Sequence, residues 1–406
     1  QAISGWLEVR SVLIRNLKLN NLLSFGPDEE AIPLRNLNVL IGPNGSGKSN
    51  VLESIALLKS APRALAEPIR EGGGIHDWLW KGSPKTPTAC LETIMEIPVS
   101  RLPLRYRIEF TERGRRFHLV NERVETERPY DGHSKPYLYY GYEDSRPFIN
   151  VRATSGEPQE GTNRELRRED VDPEQSILSQ RKDPDQYPEL TRLGEELSKI
   201  RLYREWSFGR YTAPRLPQRA DMPNDFLEED ARNLGVMINR LCDDPSAKQE
   251  FLSGLRALYD GVTDFNVRIE GTTVQVFLHE GRIAIPATRL SDGTLRYLCL
   301  LVILCHPLPP PLVCIEEPEL GLHPDIMPNL AAMLRSASER MQLVVTTHST
   351  ILVDALTDDP ESVIVCEKRK GSTSLQRLER DSLKEWLRDY SLGELWRRGE
   401  IGGNRW

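Results

Sequence analysis

Eight consecutive residues, Gly42, Pro43, Asn44, Gly45, Ser46, Gly47, Lys48 and Ser49, satisfy the spacing G-x-x-x-x-G-K-S. Glycines at these positions let backbone N–H groups curl around phosphate oxygens. A helix starting at the end of the loop presents its positive N-terminus to the same anion. Lys48 would then reach the β- and γ-phosphates of a nucleotide, and the Ser49 hydroxyl would ligate Mg2+. The residues expected to hold the nucleotide are Asn44, Gly45, Ser46, Gly47, Lys48, Ser49 and Asn50. Out of context the same letters make an ordinary glycine turn. Here the apolar run Leu37 to Ile41 precedes them, and Val51, Leu52, Ile55 and Leu58 follow at helical spacing. Strand, loop and helix therefore come in the order that phosphate binding requires.

Three further stretches carry polar chemistry, two at the end of an apolar run and one at the start of a helix. Val313, Cys314 and Ile315 lead into Glu316, Glu317 and Pro318. Beside a phosphate loop the two acids have separate work: Glu316 would face the Mg2+ hydration shell, and Glu317 would act as general base on the attacking water. Alone, the pair is equally an acidic strand end meeting solvent. Val344, Val345, Thr346 and Thr347 lead into His348, which could contact the γ-phosphate and that water; a lone histidine there is more often structural or solvated. Leu290, Ser291, Asp292, Gly293 and Thr294 open a helix, where Ser291 and Gly293 give an N-cap and an exposed anion-binding end. On its own that stretch reads simply as a cap.

Taken in order, phosphate loop, Ser291 stretch, acidic strand and histidine strand resemble the ABC ATPase superfamily. The opening segment Asn21, Leu22, Leu23, Ser24, Phe25 resembles its SMC/RecF-like branch. The run Glu316 to Pro324 resembles stand-alone predicted AAA-type ATPases related to the ATPase half of OLD-family nucleases. The resemblance implies an α/β P-loop NTPase: an ABC-type head with a mainly parallel core sheet, an antiparallel β subdomain and an inserted helical lobe. It further implies hydrolysis of Mg2+-bound ATP by a homodimer or higher homo-oligomer closing head to tail around the nucleotide. Ser291 and Gly293 of one subunit would complete the site built on Lys48, Glu316 and Glu317 of the other. Two departures stand out. The signature reads Ser-Asp-Gly-Thr rather than Ser-Gly-Gly-Gln, and Glu316 replaces the usual Asp, lengthening the reach to magnesium. The glutamine that couples the sheet to the helical lobe has one weak candidate, Gln218, for which a surface position is the better reading.

The elements that must position these residues alternate along the chain. Strands are expected from Trp6 to Leu19 (Leu7, Val9, Leu13, Leu17), and then at Leu91–Ile97, Leu104–Phe110 and Arg116–Val124 as an antiparallel sheet. The polar stretch from Asn121 to Asp185 reads as long loops. Helical spacing runs over Leu190–Trp206, Glu228–Leu241 and Ala247–Tyr259, and strands at Phe265–Glu270 and Val274–Leu278 follow. Toward the end, strands at 312–315, 343–346 and 363–366 alternate with helices at 295–304, 326–334 and 350–355, which predicts a parallel sheet. No heptad run is long enough for a coiled-coil arm. The expected division is 1–60 with 261–380 as the ATPase core lobe, 61–170 as the antiparallel subdomain, 171–260 as the helical lobe and 381–406 as an aromatic and basic tail.

Composition limits the partners. No run of eighteen apolar residues exists, so no helical membrane span is expected, and the net charge of −7 argues against a wholly basic nucleic-acid binder. Six scattered cysteines without a CxxC pair fit a reducing cytoplasm better than a metal site. No Asn-Lys-x-Asp motif supports a GTPase. The RecF-like opening and the insertion between Pro62 and Tyr259 argue against a transporter motor. Basic clusters at Arg101, Arg105 and Arg107, at Arg113, Arg115 and Arg116, and at Arg164, Arg167 and Arg168 suggest DNA, in genome maintenance or phage defence. Interleaved Glu residues make a solvated face the blander reading. The other expectation is an ATP-dependent scaffold for a separate effector protein. The tail residues Trp386, Trp396, Arg397, Arg398 and Trp406 would be its docking surface, or would pack back on their own domain.

Overall fold

The computed structural model describes residues 12–143, 146–151, 163–165, 170–172, 174–258 and 261–403. Trp6, Leu7, Val9, Tyr259, Arg167, Arg168 and Trp406 lie outside the described residues. A six-stranded sheet runs in the order Arg201–Tyr203, Leu312–Glu316, Gln342–Thr346, Leu37–Ile41, Val363–Arg369, Ser372–Arg377. Its first five strands are parallel, and the last turns back antiparallel on its neighbour. Strands Leu37–Ile41 and Gln342–Thr346 are buried at every position. Continuous apolar runs suit a parallel sheet covered on both faces. Successive residues point to opposite sides: Leu40, Cys314 and Val344 enter one core, whereas Val39, Ile41, Val313, Ile315 and Val345 enter the other.

The first core lies against an eight-stranded antiparallel sheet built from Ile32–Pro33, Ile14–Asn20, Ala89–Met95, Leu104–Arg113, Arg116–Thr126, Leu138–Glu143, Arg146–Asn150 and Asn163–Glu165, in that spatial order. The last three strands fall inside the stretch expected as loops. Tyr137, Tyr139, Tyr140 and Ile149 are buried there, so tyrosines carry much of a sheet whose average composition is polar. The second core takes in the helix Asp292–Leu304, apolar on nearly all sides and buried throughout its second half.

Two expected helices are shorter than their spacing suggests. The helix Pro188–Ser198 stops eight residues before Trp206, because Arg201–Tyr203 pairs in parallel with Val313–Ile315. Sheet pairing overrides local periodicity there. The other helix begins at Leu234 rather than Glu228. The Asn233 amide donates to the carbonyls of Pro223 (2.8 Å) and Phe226 (2.9 Å), its oxygen accepts from Glu228 N (2.8 Å), and Ala231 takes φ 57°. A side chain that satisfies this much loop backbone competes directly with helix formation.

The tail packs back on its own domain. Ser391 and Glu394 form a capping box on helix Leu392–Arg398, and Gly393 N donates to Asp354 Oδ1 at 2.8 Å. Trp396 is buried, with its indole N–H donating to Gly403 O at 3.1 Å; Trp386 stays exposed. No described helix is long and apolar enough to cross a membrane.

Candidate functional site

The registers Glu316↔Thr346 and Thr346↔Leu40 bring the ends of three central strands level. The phosphate loop, the acid pair and Thr347–His348 therefore open from one carboxyl-terminal sheet edge, where ligands of open α/β sheets bind. Residues 43–47 bend from the strand end into helix Lys48–Ser60. Gly42 (φ +148°) and Gly47 (φ +103°) are required twice over, by backbone and by packing. A Cβ on Gly42 would stand 2.3 Å from Cys366 O, and one on Gly47 2.3 Å from Thr373 Oγ1. Asn44 and Gly45 are exposed, and Gly45 has open space where a side chain would be.

Lys48 is buried and arcs back over the loop, donating to Gly42 O (2.8 Å) and Pro43 O (3.1 Å). Burial lowers its pKa, opposed by Cys366 and by the carboxylates of Glu317, Glu316 and Glu319. Asn50 donates to Ser24 Oγ at 2.6 Å, and Thr373 Oγ1 lies 2.7 Å from the same hydroxyl while donating to Ser46 O at 2.9 Å. The Asn21–Phe25 segment thus braces the loop from behind. Ser46 Oγ is buried and has no hydrogen-bond partner among the described residues. Ser49 Oγ donates to Glu316 Oε1 at 2.5 Å. An orphaned hydroxyl inside the loop and a hydroxyl–carboxylate pair at its end fit a phosphate with Mg2+, a cation that takes oxygen ligands.

Glu317 adopts φ 47°, a left-handed conformation uncommon outside glycine, with its N–H donating to Thr346 O at 3.0 Å. Its Oε1 stands 3.6 Å from His348 Nε2. Burial lowers the pKa of His348, and Lys48 adds to the shift, while Glu317 and Glu319 oppose it. The shift favours the neutral imidazole, which can accept a hydrogen bond. Two residues of this edge escaped sequence reasoning. Glu319 Oε1 accepts from Thr347 Oγ1 (2.6 Å), His348 N (2.7 Å) and Ser349 N (3.2 Å), tying the acidic loop to the histidine loop. Arg204, just after strand Arg201–Tyr203, donates from Nε to Glu316 Oε2 at 2.9 Å and from Nη1 to Glu53 Oε1 at 2.8 Å. Nothing in its local sequence marks it; only the pairing Tyr203↔Ile315 places it there.

Ser291 caps helix Asp292–Leu304, accepting from Thr294 N at 3.0 Å with Thr294 Oγ1 at 2.8 Å. It is exposed, and among the described residues its side chain bonds only within its own turn. Gly293 touches the turn after the acidic strand: a Cβ there would lie 2.3 Å from Gly321 O. Asp292, the departure in the signature, pairs with Arg215, whose Nε donates to Phe208 O at 2.7 Å and whose Nη1 donates to Leu290 O. Gln218 is not the surface residue expected. It is buried, accepts from Gly235 N at 2.7 Å and donates to Ala213 O at 3.2 Å, bonds that hold the helical lobe's own backbone. Among the described residues no cluster of His, Cys, Asp or Glu forms a separate metal site, and the six cysteines are free.

Residues 37–354 match the family described as "AAA domain, putative AbiEii toxin, Type IV TA system". The chain belongs to this family. Among solved structures it is similar to an Smc head bound to the C-terminal winged-helix domain of ScpA, with 14% identity and a TM-score of 0.57 over 91% of this chain and 99% of that one. It is also similar to an Smc head with an extended coiled coil from Pyrococcus furiosus, bound to the C-terminal domain of ScpA. There the identity is 12% and the TM-score 0.56 over 93% of this chain and 99% of that one. At such identities the shared property is the fold. No curated protein matches the chain. Family and fold agree with the P-loop head that the motifs resemble: the chain belongs to this AAA-domain family and shares the fold of SMC heads, and its longest described helix has 14 residues, too short for a coiled-coil arm. The relation to OLD-family nucleases rests on the Glu316–Pro324 run alone.

Proposed function

We propose that the protein hydrolyses Mg2+-bound ATP in a site completed by a second copy, and uses the cycle as a switch on a separate effector. The observation carrying this reading is the gathering of Lys48, Ser49–Glu316 and Glu317–His348 on one sheet edge, while the exposed Ser291 side chain bonds, among the described residues, only within its own turn. Lys48 and the loop amides would bind the phosphates. Ser49 and Glu316 would hold Mg2+, which would neutralise charge at the phosphates. Glu317 would orient and deprotonate the attacking water, and neutral His348 would accept a hydrogen bond from it. Ser291 and Gly293 of the partner would bind the γ-phosphate, so ATP joins the subunits and hydrolysis releases them.

Mixed subunits test this. Lys48→Ala and Ser291→Arg should each be inactive alone, and an equimolar mixture should recover up to about a quarter of the wild-type turnover, because half of the dimers are mixed and each of those has one complete site of two. A mixture as inactive as its parts overturns the composite site.

For what the switch controls, the family description supports a toxin–antitoxin or defence setting. A partner protein is the better-supported target. Arg105 pairs with Glu125 (3.0 Å) and Glu92 (3.6 Å), and Arg107 with Glu109 and Glu92, so this basic cluster is largely neutralised by its own sheet. The reading in which the head sequesters or releases an effector without touching DNA gains from that pairing. Direct action on DNA in genome maintenance would instead require salt-sensitive duplex binding. A pull-down with ATP-loaded Glu317→Gln, assayed for both protein and nucleic acid, separates the two.

A further inference from the structure

Glu316 carries a departure that the site has to accommodate: a glutamate where a shorter aspartate is usual adds a rotatable bond to a group that must present an oxygen to a metal. Both of its oxygens are engaged. Oε1 accepts from Ser49 Oγ at 2.5 Å, and Oε2 accepts from Arg204 Nε at 2.9 Å. The same guanidinium donates from Nη1 to Glu53 Oε1 at 2.8 Å. Ser49 and Glu53 are four residues apart on helix Lys48–Ser60 and so share one helix face. Ser49, Glu316, Arg204 and Glu53 thus close a circuit that begins and ends on the helix of the phosphate loop. Arg204 itself is fixed from behind. It follows a strand in register with the acidic strand (Tyr203↔Ile315), and two residues on, Trp206 donates its indole N–H to Glu229 O at 3.0 Å.

We propose that Arg204 is a positioning residue for the metal end of this site: it takes up one oxygen of Glu316 and turns the other toward Ser49, where the nucleotide's magnesium would bind. The proposal rests on the nucleotide-binding reading above. A fork with two nitrogens on two different carboxylates does what a lysine cannot, since an ammonium has no rigid geometry with which to hold the two acids at a fixed angle. Groups that orient metal ligands from behind typically change metal affinity by about ten- to a hundredfold when removed.

Two other roles for the same contacts make opposite predictions. Were Arg204 a stand-in cation competing with magnesium, its loss would lower the magnesium requirement. Were it only neutralising buried acids, lysine would replace it and the magnesium requirement would not move.

The test is binding of a fluorescent ATP analogue by the full chain at fixed nucleotide, titrated with Mg2+, and repeated in EDTA. For Arg204→Ala the half-saturating Mg2+ concentration should rise about tenfold while affinity in EDTA stays within about twofold. Arg204→Lys should resemble Arg204→Ala, and Glu53→Gln should shift in the same direction by less. An unchanged or lowered magnesium requirement in Arg204→Ala, or full rescue by lysine, overturns the proposal. Should Arg204→Ala fail to fold, as shown by its thermal unfolding, Glu53→Gln and Arg204→Lys decide the matter on the same criteria. A wild-type chain that binds no nucleotide at any Mg2+ concentration refutes instead the nucleotide-binding reading.

Discussion

Two groups of carboxylates in this molecule are built on different terms. In the antiparallel sheet Glu122 is completely buried. One oxygen accepts from Tyr106 OH (2.7 Å) and Ser176 Oγ (2.5 Å), and the other from Ile177 N (2.7 Å). Burial still pushes its pKa up, and the three donors oppose the shift. At the edge of the parallel sheet the accounting is incomplete. Among the described residues, the Glu317 carboxylate, on a left-handed backbone, has only a 3.6 Å approach from His348, and Glu319 crowds three donors onto one oxygen while the other, buried, has none. A saturated node fixes structure, here docking the helix capped by Ser176 onto the sheet. An undersaturated node keeps capacity for a ligand, because groups without partners gain most when one arrives.

The sharpest way to break this comparison is to neutralise one acid of each kind. Glu317→Gln should lower turnover by about a hundred- to ten-thousandfold, with nucleotide affinity and thermal stability close to wild type. Single-turnover kinetics and equilibrium binding measure both, and undiminished turnover would remove Glu317 as the base. Glu122→Ala should do the reverse. It removes the shared acceptor of two hydroxyls and an amide in a dry interior, leaving Tyr106 OH and Ser176 Oγ only their mutual contact at 3.1 Å and the bond from Leu178 N, at a cost of about 3 kcal/mol in unfolding free energy, with turnover per folded molecule unchanged. Denaturant unfolding reads the first quantity and titrated active sites the second. A loss of activity without loss of stability in Glu122→Ala would mean that the two nodes communicate.

Glu319 lies between the extremes. Glu319→Ala frees Thr347 Oγ1, His348 N and Ser349 N together, so the histidine loop loses its tie to the acidic loop. Turnover should fall by about ten- to a hundredfold through misplacement of His348, with nucleotide affinity changed by less than about threefold. Turnover per folded molecule unchanged, with stability lowered, would class Glu319 with Glu122 as purely structural.

How much of this was legible in the sequence depends on where a residue's partner lies along the chain. The phosphate loop, Glu316–Glu317, His348 and the Ser291 cap each follow or begin their own element, so local spacing placed all four. Arg204 acts on Glu316 across 112 residues, through a strand of only three residues that helical periodicity had absorbed. Glu319 was visible as a letter in the acidic run, but its work depends on the turn that the left-handed Glu317 imposes. Gln218 was misplaced because a polar side chain in a polar stretch reads as surface, whereas its partners Gly235 N and Ala213 O need a buried acceptor and donor. The strands at 138–143 and 146–150 were missed for the complementary reason: their burial is carried by tyrosines and one isoleucine within a stretch whose mean is polar.

The smallest expected effect belongs to His348, and it bears on whether this edge is poised to accept a proton. Burial, with Lys48 nearby, lowers its pKa from the ordinary 6.5, so the folded protein favours the neutral ring more than the unfolded chain does. The stability that this preference contributes is fully present above 6.5 and is lost as the pH falls through the lowered folded value. His306 is lowered by burial as well, so the informative quantity is the difference between wild type and His348→Gln rather than either profile alone. Across that window wild type should lose slightly more stability on acidification than the variant, by a small amount because the His348 side chain is 35% exposed. The acid limb of turnover should likewise lie below 6.5 in wild type, and the ring-proton resonance of His348 should titrate with it. A resonance that titrates above 6.5 would show the pull of Glu317 and Glu319 outweighing burial and Lys48. The ring would then be a cation beside the phosphates, and its role would shift from accepting a hydrogen bond to neutralising charge.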